Sequence, residues 1–319
     1  MLLILLIMVL LSIELVLRMY NYSKKILPYD LSNYPYFRKA RNSYGRDSYF
    51  IERIGLKNTP KIKTYSEGIR DDIAKEKKDI VLALGCSCTE GVAFQPKETY
   101  PGFLQQMLPD KYKVVNAGIG GYGPFQIDKM LQDLIKYKPK IVIVQFIDFM
   151  RVPVDKKKIK EGKKYLLFYR QIKGISLLFS YLLRLKSRKF FSIRTFYMNR
   201  KLPKEQLWQV NQKYLDSMKR VCGENKTKLV FFIWPSNDSN WLHNAYFQDK
   251  LKEYSKTNKV SYFDARNIYQ YYREEELKIP YDAHPSALAN KLVAKAAHNC
   301  LVKNKLIVDE YTPQLAVGI

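Results

Sequence analysis

Five short apolar runs recur along this chain with helical patterns between them: Ile80–Leu84, Lys113–Val115, Ile141–Phe146, Leu229–Trp234 and Val260–Phe263. Runs that are apolar on both faces and alternate with helices predict a parallel sheet covered on both sides. Ligands of such sheets bind beyond the carboxyl ends of the strands. Ser87 follows the first run, Gly118–Gly123 the second, Asp148 the third and Asn237 the fourth. A site on one sheet edge, built from distant segments, is therefore expected.

The first run breaks at Gly85 and puts Ser87 on the turn, in Asp79-Ile-Val-Leu-Ala-Leu-Gly-Cys-Ser-Cys-Thr-Glu-Gly91. Far downstream, Asp282-Ala283-His284 stands just ahead of a helical pattern predicted to begin at Pro285. A serine hydroxyl is a poor nucleophile until an imidazole takes its proton, and a carboxylate orients and stabilises that imidazole. Ser87, Asp282 and His284 are thus the catalytic candidates. The plainer alternative makes Ser87 the cap of a helix starting near Thr89, with Asp282 a turn residue and His284 a surface histidine. Of the other two histidines, His243 lies near the same edge as a candidate substrate contact, and His298 in the closing helix is read as structural. The glycines at 118–123 lack the G-x-G-x-x-G placement of a dinucleotide site. Cys88 is read as small buried packing and the tryptophans as core, with Trp241 a candidate sugar platform.

The 319 residues carry 55 Lys+Arg against 30 Asp+Glu, a formal charge of +25 that favours anionic partners. Residues 151–204 hold 17 Lys/Arg against 2 acids, Asp155 and Glu161, and read as a basic amphipathic helical insertion. It is expected to lie on a membrane surface, to roof the site, or to be a solvated insertion without a ligand. No nucleic-acid recognition motif accompanies the charge. The four cysteines lack zinc-site spacing and suggest no disulfide framework, with one bridge allowed. Leu2–Leu17 is apolar apart from Ser12 and Glu14, and the stretch through Met19 approaches the roughly 20 residues that span a bilayer. No small-residue cleavage site follows it, which predicts an uncleaved anchor over residues 1–20. A lead-in at 21–78, a main domain at 79–305 containing the insertion, and a tail at 306–319 complete the expected organisation.

Three blocks resemble the SGNH hydrolases, also called GDSL-type esterases. Gly85-Cys-Ser-Cys-Thr-Glu-Gly91 is similar to the family's Gly-Asp-Ser-x-Thr-x-Gly, with Cys86 in place of the aspartate. Val115-Asn-Ala-Gly-Ile-Gly-Gly-Tyr-Gly123 resembles the second block, with Gly121 at the oxyanion glycine, and Asp282-Ala-His-Pro-Ser286 resembles the last. Glu67-Gly-Ile-Arg70 resembles the lead-in of membrane-anchored members. The third block departs: Gln145-Phe-Ile-Asp148 puts Ile147 where the family has an oxyanion asparagine, with Asp148 at the companion acid. Gln145 and Asn237 are the candidates for the missing donor.

The resemblance implies a flavodoxin-like α/β/α fold with a five-stranded parallel sheet and no metal or organic cofactor. It also implies hydrolysis of an O-acyl, chiefly acetyl, ester on carbohydrate through an acyl-enzyme. Ser87 and Gly121 N–H groups would hold the oxyanion. Acyl transfer on the same triad, and a weakened hydrolase that grips polyanion or glycan, stay open beside it. Sidedness stays open too. Arg18, Lys24 and Lys25 follow the apolar span, which points to a cytoplasmic domain, whereas the resemblance points to an extracytoplasmic one.

Overall fold

The computed structural model describes residues 2–24, 29–30, 32–33, 36–46, 60–146, 156–186, 202–234, 244–266, 271–280, 282 and 284–307. Helix α1 (Leu2–Lys24) is apolar and its Leu2–Met19 stretch, long enough to cross a membrane, packs none of its length inside the protein. The lead-in continues from α1. It contains two small antiparallel pairs, β1 (Tyr29–Asp30) with β2 (Arg38–Lys39), and β3 (Tyr44–Gly45) with β4 (Ile62–Lys63).

The main sheet follows the predicted runs closely: β5 (Asp79–Leu84), β6 (Tyr112–Asn116), β7 (Ile141–Phe146), β8 (Lys228–Ile233) and β9 (Ser261–Asp264). All pairings are parallel and the spatial order is β6-β5-β7-β8-β9. Two neighbours of β5 therefore lie on opposite sides of it, which makes its carboxyl end the point where the winding reverses and a crevice opens.

Period-2 alternation sorts the buried strand residues into two cores. Leu82, Leu84, Val142, Val144, Phe231 and Ile233 face one side with Met130, Leu131, Leu215 and Met218. Val81, Ala83, Ile141, Ile143, Val230 and Phe232 face the other with Leu104, Val293, Ala294 and Leu301. The first layer is α4 (Pro124–Leu134), α7 (Lys204–Glu224) and α8 (Asn244–Thr257). The second is α3 (Tyr100–Met107) and α10 (Ala287–Lys303). This is a three-layer α/β/α fold.

Within the insertion, α5 (Lys156–Ile175) and α6 (Leu177–Lys186) break at Ser176, and α6 lies against α1. Leu306 and Ile307 still pack on the second core, so packing runs past residue 305, and the rest of the expected tail lies outside the described residues. All four cysteines are free and buried, so the allowed bridge is not formed. Burial pushes the Cys222 and Cys300 thiols up to about 12 and about 11. Trp208 and Trp234 are core residues, as expected.

Candidate active site

Strand β5 ends at Leu84, and the chain turns at Gly85 into a single helical turn, α2 (Ser87–Glu90). Ser87 is the first residue of that turn and Cys86 holds the cap position, so Ser87 is not the cap. Its hydroxyl is turned to His284, whose Nε2 lies 2.7 Å from Ser87 Oγ.

The other ring nitrogen, Nδ1, hydrogen-bonds Asp282 Oδ1, and the same oxygen accepts the His284 backbone N–H at 2.8 Å. An ionised carboxylate can only accept, so Nδ1 carries the proton and Nε2 presents its lone pair to the serine. Asp282 is nearly enclosed at 5% side-chain exposure, and His284 keeps an open edge at 16%.

Backbone pairing holds this loop. Ile279 N–H donates to His284 O, Ser286 N–H to Leu277 O, and Asp282 N–H to Ile279 O. Pro285 pairs with Lys278 in a bridge, so the closing helix does not begin there; Ser286 caps it by accepting Ala289 N–H. The extended backbone that the bridge demands is incompatible with a helical start at Pro285.

Beneath the nucleophile turn the packing is tight enough to dictate residue types. A methyl group on Gly85 would sit 2.1 Å from Thr89 Oγ1, which donates to Gln145 Oε1 at 2.5 Å. Gln145 is fully buried, and its amide also contacts Cys86 Sγ at 3.7 Å. It therefore supports the turn from below and does not stand where an oxyanion donor is needed, which corrects the expectation for Gln145. Cys86, in the place of the family's aspartate, packs into the same cluster.

The glycine loop after β6 lies directly on α2. Gly118 leaves no room for a side chain, since its Cβ would come within 2.4 Å of Glu90 N. Asn116 ties the two segments, donating to Thr89 O at 2.9 Å and accepting Gly118 N–H at 3.1 Å. A Cβ on Gly120 would lie 3.7 Å from Ser87 Cβ, which places this loop beside the nucleophile. Gly121 has φ +94°, a conformation that favours glycine.

Several supporting residues were given no role by the sequence. Glu90 is 1% exposed: its Oε2 accepts Gly120 N–H at 2.6 Å and its Oε1 pairs with Lys39 Nζ at 3.1 Å. Lys39, equally buried, lies 4.8 Å over the Tyr29 ring. Arg70, from the Glu67–Arg70 lead-in motif, donates to the carbonyls of Glu90, Gly91 and Phe94 at 2.5–3.0 Å and so caps the end of α2. Gly68 allows this approach, with φ +72° and a Cβ position only 2.5 Å from Lys39 O. An acid beside the nucleophile in a strongly basic chain was the available signal for a buried ion pair.

The structure thus brings together Ser87, His284, Asp282 and the Gly120–Gly121 loop at the carboxyl edge of β5 and β6. Ile147, Asp148, Asn237, Trp241 and His243 lie outside the described residues. His298 sits half-buried on α10. The strand order, the switch-point serine and the late Asp-x-His loop settle the architecture. The arrangement is the one that the resemblance to the SGNH hydrolases implies.

No family model matches the chain, and no curated protein does. Solved structures do. A member of the lipolytic G-D-S-L family from Veillonella parvula matches at 9% identity and TM-score 0.46, covering 70% of this chain and 98% of that one. The psychrotrophic esterase EstA from a Pseudoalteromonas species matches at 14% and 0.45, covering 72% and 99%. A catalytic mutant of an acetylxylan esterase from Geobacillus stearothermophilus matches at 13% and 0.45, covering 70% and 94%. At such identities and scores the matches carry nothing about this chain's activity or substrate.

Proposed function

We propose that this SGNH-fold protein is a membrane-anchored serine ester hydrolase acting on O-acyl groups, chiefly acetyl, of carbohydrate. The observation that carries the reading is the Ser87 Oγ–His284 Nε2 distance of 2.7 Å with Asp282 behind the imidazole. His284 takes the hydroxyl proton as Ser87 Oγ bonds to the ester carbonyl carbon. The tetrahedral oxyanion rests on the N–H groups of Ser87 and Gly121, at the start of α2 and beside the Gly120–Glu90 bond. Collapse expels the sugar alkoxide, which leaves with the proton from His284. Water, deprotonated in turn by His284, attacks the acyl-serine and releases the carboxylic acid.

A nearly enclosed Asp282 suits its role, because it fixes the ring tautomer and stabilises the imidazolium formed in each half-reaction. The carbohydrate class follows from the resemblance of the Glu67–Arg70 and serine blocks to anchored members. A sugar hydroxyl in place of water would give acyl transfer through the same acyl-enzyme.

The test is acetyl-ester hydrolysis by the full chain in detergent beside Ser87→Ala, with fluorophosphonate labelling of both. We expect labelling of the parent only and a loss of about 10³-fold or more in kcat for the variant. Equal rates and no labelling would overturn the assignment in favour of an SGNH-like glycan-binding protein. Product analysis with an acetyl donor and a carbohydrate acceptor separates hydrolysis from transfer.

A further inference from the structure

Glu14 is the one carboxylate within the apolar span Leu2–Met19. A charge in that setting is costly unless it is partnered. In the structure its Oε1 accepts Leu177 N–H at 2.9 Å, and its Oε2 accepts Leu178 N–H at 2.9 Å and Ser176 Oγ–H at 3.1 Å. Arg18, one turn on, pairs with Glu14 at 2.8 Å and donates to Ile175 O at 2.9 Å. All of these bonds converge on the joint between α5 and α6, where Glu14 satisfies the first N–H groups of α6.

The same two helices hold, among the described residues, most of the exposed aliphatic and Phe side chains outside α1. Among the described residues, the exposed large aliphatic and Phe side chains there are Leu167, Phe168, Ile175, Phe179 and Leu182, with only Leu288 elsewhere. Ile175, at the joint, is 76% exposed. Around them the sequence of α5 and α6 carries ten Lys/Arg and a single acid, Glu161. Glu14 precedes Met19 by five residues, or about 7.5 Å along a helix, which matches the roughly 5–10 Å depth at which interfacial helices bury their apolar faces.

We infer that α5 and α6 form an interfacial membrane element, stitched to the anchor by Glu14 and Arg18, that immerses Ile175 and Phe179 and gathers anionic phospholipid with its lysines and arginines. Continuity with α1 supplies the bilayer, and the charge selects the headgroup. The inference stands apart from ester hydrolysis.

The experiment uses the full chain in vesicles of phosphatidylcholine, alone or with phosphatidylglycerol. An environment-sensitive fluorophore goes on Ile175→Cys, Phe179→Cys or, as the control on exposed α7, Lys219→Cys; the buried native thiols leave the parent as blank. Acyl-chain spin labels should quench the probes at 175 and 179 severalfold more than the probe at 219, and phosphatidylglycerol should increase that quenching. Quenching equal to the control would overturn the interfacial placement, and no response to phosphatidylglycerol would overturn the anionic preference. Glu14→Ala should reduce quenching at 179 in phosphatidylcholine while the chain still floats with vesicles, with Glu14→Gln intermediate. Unchanged quenching in Glu14→Ala would overturn the stitch.

Discussion

The Ser87 turn and the His284 loop meet at one hydrogen bond but are held by opposite means. Around Ser87 the support comes from side chains distant in sequence: Lys39, Arg70, Asn116 and Gln145 all converge on a four-residue helical turn. Around His284 it comes from local backbone pairing between residues 277–279 and 284–286, with Asp282 two residues from the ring it orients. The first region is over-determined by burial. The second is a self-contained clip. Damage should therefore spread differently: changes near Ser87 should cost stability as well as rate, whereas changes in the His284 loop should separate the two.

The largest expected effect tests that separation. Asp282→Asn keeps the shape of the loop but offers the wrong hydrogen-bonding partner to Nδ1, and we expect a drop of about 10⁴-fold in kcat with the melting transition little changed. Steady-state kinetics and calorimetry on one preparation decide it; a large parallel loss of stability would erase the contrast.

Lys39→Met attacks the other side. It strands the Glu90 carboxylate in a buried site, and we expect a loss of about 3–5 kcal/mol in denaturant unfolding. Adding Glu90→Gln removes the stranded charge and should recover most of that stability. The rate should stay low in the double variant, because the bond that holds the Gly120 N–H, and with it the loop beside Ser87, has been weakened. Full recovery of rate would mean that the pair serves folding alone.

Ser286→Ala is milder. It removes the cap of α10 and should cost about 1 kcal/mol, read as a small shift in urea midpoint with kcat nearly intact.

The smallest effect concerns acid. Burial works to raise the Glu67 carboxyl, but hydrogen bonds from Lys136, Tyr137 and Arg38 outweigh it and hold the group at about 2, below its ordinary 4.5. A carboxyl lowered on folding stabilises the protein above its unfolded value and loses that contribution as pH falls toward the folded one. Glu67→Gln should therefore flatten the decline of the unfolding midpoint between pH 4.5 and about 2. A decline of unchanged steepness would assign it to other groups.

The sheet was legible because its central strands are apolar and buried on both faces, so each such run announces itself without help from elsewhere. Ser87 and the Asp282–His284 pair were legible because their spacing is local. Lys39, Glu90 and Arg70 were not, since a charged side chain in a sequence looks solvated and only the folded lead-in shows that these are enclosed. Gln145 was given a role above the turn because its position after β7 was known but its direction was not. Pro285 suggested a helix start by its ordinary preference for the first turn, and pairing with Lys278 took precedence.

Lys39 and Arg70 also bear on where this protein can be cut. Trimming the chain at Asp79 would leave Ser87, Gly121, Asp282 and His284 in place yet remove both cations that brace α2. A series of N-terminal deletions should accordingly show a cliff rather than a slope, with soluble, active material only from start points ahead of Tyr29. The stretch between α1 and β5 is in that sense a part of the folded domain and not its tether.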